Sequence, residues 1–169
     1  MCGIFGVISD TSLSNSKLNI LAKRAQQRGK DSSGLIYLDN NSYKIERADY
    51  KVEKLLDQVR PYSSSIIFGH SRLITNGLED NQPVIRNRIS VIHNGIIVNE
   101  NEAWKATNSD RQLEIDSELI VAITDDFLNI GGDLNKLPDK ILSICRGVIA
   151  CAVIIPEHGK VLLFSNNGS

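Results

Sequence analysis

The chain has 169 residues, 41% hydrophobic and 23% charged, which suits a globular domain with a sizeable core. Its formal net charge of -1 gives no electrostatic footprint for nucleic acid or an anionic membrane. No run approaches the ~20 apolar residues of a membrane span, and no basic segment opens a secretory signal.

A strand is predicted from Gly3 to Ile8, followed by the polar link SDTSLSNS. Leu18, Leu21, Ala22 and Ala25 then recur at helical spacing among Lys17, Lys23, Arg24 and Gln27, and Gly29 stops that helix. SGLIYLDNNSYKIER reads as a hairpin, because Asn40-Asn41 supplies the positive φ values of a tight turn. Val52, Leu55, Leu56 and Val59 predict a short helix closed by Pro61, and SIIFGHSR a buried strand. LITNGLEDNQPVI is long and irregular, and such stretches are often functional.

RISVIHNGIIVNE reads as a strand pair about Asn94-Gly95, with a polar loop beyond it to Glu114. Leu119, Ile123 and Phe127 predict a helix from near Asp116 to just before Gly131-Gly132. Leu137, Ile141, Ile144 and Cys145 form one face of another helix, with Gly147 past its end. VIACAVII suits a strand buried on both faces, and Glu157, His158 and Gly159 turn the chain into KVLLFS. Antiparallel strands with helices in two groups imply an α+β fold, with sheets sandwiched between helical layers in a single domain, 1–169.

The three cysteines are Cys2, Cys145 and Cys151. They form neither a disulfide framework nor a Cys-x-x-Cys zinc pattern, and imply a reducing, cytoplasmic setting. His70, His93 and His158 are scattered, so no metal site is expected. Cys2 has two readings. It is a small hydrophobe opening a buried strand, or, once Met1 is removed, it carries a thiol and a free α-amine on one residue. Those groups titrate near ~8.5 and ~8, so nucleophile and proton acceptor would share a residue.

Asn94 and Gly95 have two readings as well: a hairpin turn, or a side-chain amide and a backbone N–H aimed at an oxyanion. Arg72 ends an apolar strand, where it either pairs with a structural carboxylate or clamps a substrate carboxylate through two parallel bonds. Asp116 is either a helix N-cap or the partner of a substrate ammonium. QRGKDSSG, with Arg28 and Asp31, links a helix to a strand.

Taken in order, MCGIFG, QRGKDSSG, GHSRL, NQPV, HNGIIVNE and IDSE resemble the class II glutamine amidotransferases, which are N-terminal-nucleophile hydrolases. The resemblance runs from Met1 to about Ser165. It implies a four-layer αββα sandwich of two antiparallel sheets covered by helices. It implies that Cys2 is the nucleophile, freed by loss of Met1, that Asn94 and Gly95 form the oxyanion hole, and that Arg72 and Asp116 bind the α-carboxylate and α-ammonium of L-glutamine. Thr75 matches a further contact to the amino-acid end, and Arg28 an arginine near the nucleophile. No cofactor is implied. The expected partner is an ammonia-accepting synthase or isomerase domain or subunit, with neither nucleic acid nor membrane.

The chain departs from the family pattern in places. Leu73 and Asn76 replace a tryptophan and a histidine of the hexosamine-forming branch, HSRL with QP leans toward the asparagine-synthetase branch while HNGIIVN leans toward the hexosamine branch, and NNGS stands where relatives carry an arginine-aspartate segment and then continue. The glutaminase half-reaction is therefore better supported than any acceptor. Two alternatives stand beside it: an N-terminal-nucleophile hydrolase of another amide, and a non-catalytic regulatory domain of the same fold.

Overall fold

The computed structural model describes residues 2–11, 14–73 and 81–166. The chain forms two compact units, Met1–Pro83 and Val84–Ser169.

The first unit is built on β1 (Gly3–Ile8), α1 (Asn15–Gln26), β2 (Ser32–Asp39), β3 (Ser42–Ala48), α2 (Val52–Val59) and β4 (Ile66–Arg72). Its antiparallel sheet has the order β1-β4-β2-β3. Helix α1 starts where the Ser14 hydroxyl accepts the Lys17 amide, and Lys23 and Arg24 complement its C-terminal dipole. Leu18, Ala22 and Ala25 are buried, whereas Leu21 keeps 36% of its surface exposed, so the apolar stripe is narrower than the spacing predicts. Asn40 and Asn41 take the expected positive φ of 47° and 62° in the β2–β3 turn. Helix α2 ends on Arg60 in the left-handed region, its amide bonded to the Leu56 carbonyl, one residue before Pro61. Phe5, Leu18, Leu35, Val52, Leu56 and Ile67 make the core between the helices and one face of the sheet.

The second unit contains β5 (Val84–Arg86), β6 (Ile89–Ile97), α3 (Glu100–Ala103), α4 (Ser117–Asn129), α5 (Leu137–Ile144), β7 (Gly147–Ile155) and β8 (Lys160–Ser165). Its antiparallel sheet has the order β5-β6-β7-β8. Val91, Leu119, Ile123, Leu137, Ile141, Cys145, Ile149 and Val153 lie in its core.

Two expectations need correction here. Asn94-Gly95 is not a turn: β6 runs straight through it. Asn94 pairs with Ala150 and Gly95 with Ile149, inside an unbroken register from Ser90–Ile154 to Ile97–Gly147. The residues on either side of Asn-Gly satisfy their backbone groups on β7, so the local turn preference loses to the ladder. The turn falls instead at Asn87 and Arg88, with φ of 46° and 65°, between β5 and β6. The polar stretch to Glu114 is also not all loop, since it holds α3 and a 3-10 turn over Trp104–Ala106.

Among the described residues no helix is long and apolar enough to cross a membrane.

Candidate active site

In the first unit, antiparallel pairing sets Gly3 against Ser71 and Ser32 against Arg72. Continued by one residue, the β1–β4 register sets Cys2 opposite Arg72. Phe5 and Ile67 face the helices, so strand alternation puts Cys2, Ile4, His70 and Arg72 on the other face. Cys2 is partly exposed, and Arg72 is buried at the strand end.

Backbone contacts hold this end in place. The Asp31 amide donates to the Arg72 carbonyl at 2.9 Å, and the Ser71 hydroxyl to the Gly29 carbonyl at 2.7 Å. A Cβ on Gly29 would collide with the backbone of Arg72 and Leu73, and one on Gly3 with the Ala25 carbonyl. QRGKDSSG is thus the clasp that fixes the Arg72 backbone. Arg28 is exposed, and its amide donates at 3.0 Å to the same Ala25 carbonyl that abuts Gly3. Thr75 lies outside the described residues. In NQPV, the Asn81 side chain donates to the Ser33 carbonyl at 2.9 Å and accepts the Gln82 amide at 2.8 Å. A Cβ on Gly34 would meet the Gln82 carbonyl, so that motif is stapled along β2.

The other two thiols are different in kind. Cys145 and Cys151 are buried. Burial, reinforced by the charge of Asp116, pushes Cys145 up to about 12, and burial raises Cys151 as well. Both are protonated near neutral pH and are poor nucleophiles. Cys2 is the one cysteine that is not buried.

In the second unit, Asn94 lies on the face of β6 away from Val91 and its helix-side core. Amides along a strand point alternately to its two edges. The Val98 amide donates to the Arg146 carbonyl at the β7 side, whereas the Ile97 amide donates to Asp116 Oδ2 at 2.9 Å. Gly95 shares the parity of Ile97, so its N–H is aimed away from β7. Among the described residues no strand pairs with that edge beyond Val91. A Cβ on Gly95 would collide with the Val148 carbonyl, so close backbone approach demands glycine there.

Asp116 precedes α4, but its side chain makes no capping bond to that helix. It turns instead to the Ile97 amide, to the Ser117 hydroxyl at 3.3 Å and toward His93 Nδ1 at 3.7 Å. Burial alone would raise its pKa. The hydrogen bond and charge of His93, with the Ile97 amide and Ser117, outweigh burial and hold the carboxyl below its ordinary value. The loop before it is held by Glu118, the last residue of IDSE, which is buried and accepts the amides of Gln112 and Leu113. Arg86 approaches the same carboxylate at 3.5 Å.

The structure therefore puts Cys2 and Arg72 at the same end of the β1–β4 pair in one unit and ties Asp116 to the β6 strand of Asn94 and Gly95 in the other. His93, Ser117 and Glu118 were not singled out from the sequence, although HNG and IDSE contain all three. Among the described residues no cluster of three His, Cys, Asp or Glu side chains is arranged to hold a metal ion.

No protein-family model matches the chain. It is 27% identical over 176 residues to a glutamine–fructose-6-phosphate aminotransferase (isomerizing) of Bradyrhizobium diazoefficiens, covering 99% of this chain and 29% of that protein. A second protein of that name from the same bacterium is 30% identical over 177 residues, covering 100% of this chain and 29% of its own length. The chain thus spans under a third of the curated relatives it matches. Among solved structures, glutamine phosphoribosylpyrophosphate amidotransferase from B. subtilis, complexed with ADP and GMP, matches with a TM-score of 0.75 at 20% identity. That likeness covers 98% of this chain and 37% of the other, and shows the expected N-terminal-nucleophile hydrolase fold.

Proposed function

We propose that this chain, a member of the class II glutamine amidotransferases, catalyses their glutaminase half-reaction, hydrolysing L-glutamine to glutamate and ammonia. With Met1 removed, the Cys2 amine takes the thiol proton as sulfur attacks the side-chain amide carbon of glutamine. The C–N bond breaks, the amine passes that proton to the departing nitrogen, and ammonia leaves a thioester. Water, deprotonated by the same amine, then cleaves the thioester to glutamate and restores the thiol. The Asn94 side-chain amide and the Gly95 N–H stabilise the oxyanion of each tetrahedral intermediate. Arg72 binds the α-carboxylate of glutamine and Asp116 its α-ammonium. Thr75 adds a contact at the amino-acid end, and Arg28 matches the family's arginine near the nucleophile. No step calls for a cofactor.

Ammonia then passes to a synthase or isomerase site on another domain or subunit. Support for that half comes from the relatives, whose names describe aminotransfer and whose chains are more than three times as long. The three free cysteines support a reducing, cytoplasmic setting.

The observation that carries the reading is the contrast among thiols: two are buried and held protonated, while Cys2 is partly exposed just before β1. Incubation of the Met1-free chain with glutamine should yield glutamate and ammonia in equal amounts, and Cys2→Ala should yield neither. Folded, Met1-free protein that releases no glutamate would refute the proposal.

A further inference from the structure

His93 takes no part in the steps above, yet it is 1% exposed in the middle of the second unit's polar cluster. Its Nδ1 lies 3.1 Å from Ser117 Oγ and 3.7 Å from Asp116 Oδ1. Its Nε2 lies 3.4 Å from the Val148 carbonyl. That carbonyl and that nitrogen are the two groups a Cβ on Gly95 would strike. One ring therefore touches both the β7 backbone beneath Gly95 and the carboxylate that ends on Ile97.

We infer that His93 is a positioning residue for glutamine hydrolysis: it registers the Asp116 carboxylate, through Ser117, against the Gly95 peptide. The inference rests on the glutaminase reading for its catalytic consequence and on geometry alone for its structural one. Three facts make the role specific. Asp116 forgoes the usual capping bond of its own helix and is held by groups on β6 instead. Ser117 bridges the ring and the carboxylate, with its hydroxyl in reach of both. Ser117 has a single hydroxyl proton, so the bridge runs in one direction: Nδ1–H donates to Ser117 Oγ, and Ser117 donates to Asp116 Oδ1.

Substitution by leucine keeps apolar volume and removes both nitrogens. Asparagine restores a polar group near the Nδ1 position. Carbon-detected NMR titration of Asp116 and hydrogen exchange at Ile97 read the structural half without any turnover. In His93→Leu, Asp116 should titrate at higher pH and Ile97 should exchange about tenfold faster or more, as for loss of one hydrogen bond to a charged group. In glutamine hydrolysis, His93→Leu should raise KM by a similar factor and lower kcat, and His93→Asn should recover part of the KM. Ile141→Ala, a core truncation in the same unit, should lower stability and leave KM unchanged. If His93→Leu does not fold, Ser117→Ala should shift Asp116 and KM in the same direction by less.

An Asp116 titration unchanged in these variants overturns the inference, as does a KM unchanged from wild type. Wild-type protein without glutaminase activity would instead defeat the functional reading, while the Asp116 titration would still decide whether His93 holds that carboxylate.

Discussion

In Met1–Pro83 the strand ends that bear Cys2 and Arg72 are set by backbone laid on backbone: Gly3 on Ala25, Gly29 on Arg72, Gly34 on Gln82. In Val84–Ser169 Asp116 and the loop before it are held by side chains: Asp116 on the Ile97 amide, Ser117 between Asp116 and His93, Glu118 on the loop amides. Steric contacts of the first kind do not titrate, and they fail when a methyl group is added. Polar contacts of the second kind tolerate small changes of volume but depend on charge. The two units should therefore respond to different insults.

The largest expected effect on turnover in the second unit comes from a change of a single donor. Asn94→Asp removes the NH₂ group, and turnover should fall by on the order of 10²–10³, as when such a donor is lost elsewhere. Stability should change little, because Asn94 sits mid-strand with its backbone paired. Normal kcat in a folded Asn94→Asp protein would remove Asn94 from the mechanism.

The matching insult to the first unit is steric. Gly34→Ala places a Cβ against the Gln82 carbonyl. Denaturant unfolding should show a loss of roughly 1–3 kcal/mol, the usual cost of overpacking. An unchanged midpoint would mean that Gln82 moves freely and that the glycine contacts do not hold this unit. Arg72→Lys keeps the charge and loses the planar fork, so KM for glutamine should rise about tenfold, the worth of one charge-assisted bond. An unaltered KM would break the clamp.

The smallest effect is on acid stability. Asp116 has a folded pKa below its unfolded value of ~3.9, so its contribution is present above that value and is lost as pH falls through the lowered folded one. Asp116→Asn should flatten that acid-side decline, measured as urea midpoint against pH. Gly34→Ala should lower the curve without changing its slope. If Gly34→Ala alters the slope, the division between steric and polar control does not hold.

Much of this was legible before any coordinates. Leu18, Ala22 and Ala25, and again Leu119 and Ile123, show a period that only a helix buries, and Asn40-Asn41 announces its turn. The failures have local causes. Asn94-Gly95 has hairpin chemistry, but a strand distant in sequence, β7, offers it a ladder. Asn87-Arg88 makes the real turn although arginine is not a turn residue. ENEA forms α3 with no apolar stripe to reveal it. The boundary between units is invisible because Pro83 runs directly into β5 with no linker composition. For the site, the ordered motifs delivered Cys2, Arg72, Asn94, Gly95 and Asp116 as candidates. They did not deliver the bonds of His93 and Ser117, since a histidine inside a strand carries no sequence mark of what it will face.

The most direct test asks which thiol reacts. An electrophilic glutamine analogue should modify the Met1-free protein at Cys2 alone, with loss of glutamate release in proportion to labelling, and mass spectrometry of the peptides locates the adduct. The account predicts full labelling of Cys2 and unmodified Cys145 and Cys151, whose burial keeps them protonated. Modification of Cys145 or Cys151 with Cys2 untouched, or normal hydrolysis by Cys2→Ala, would contradict it.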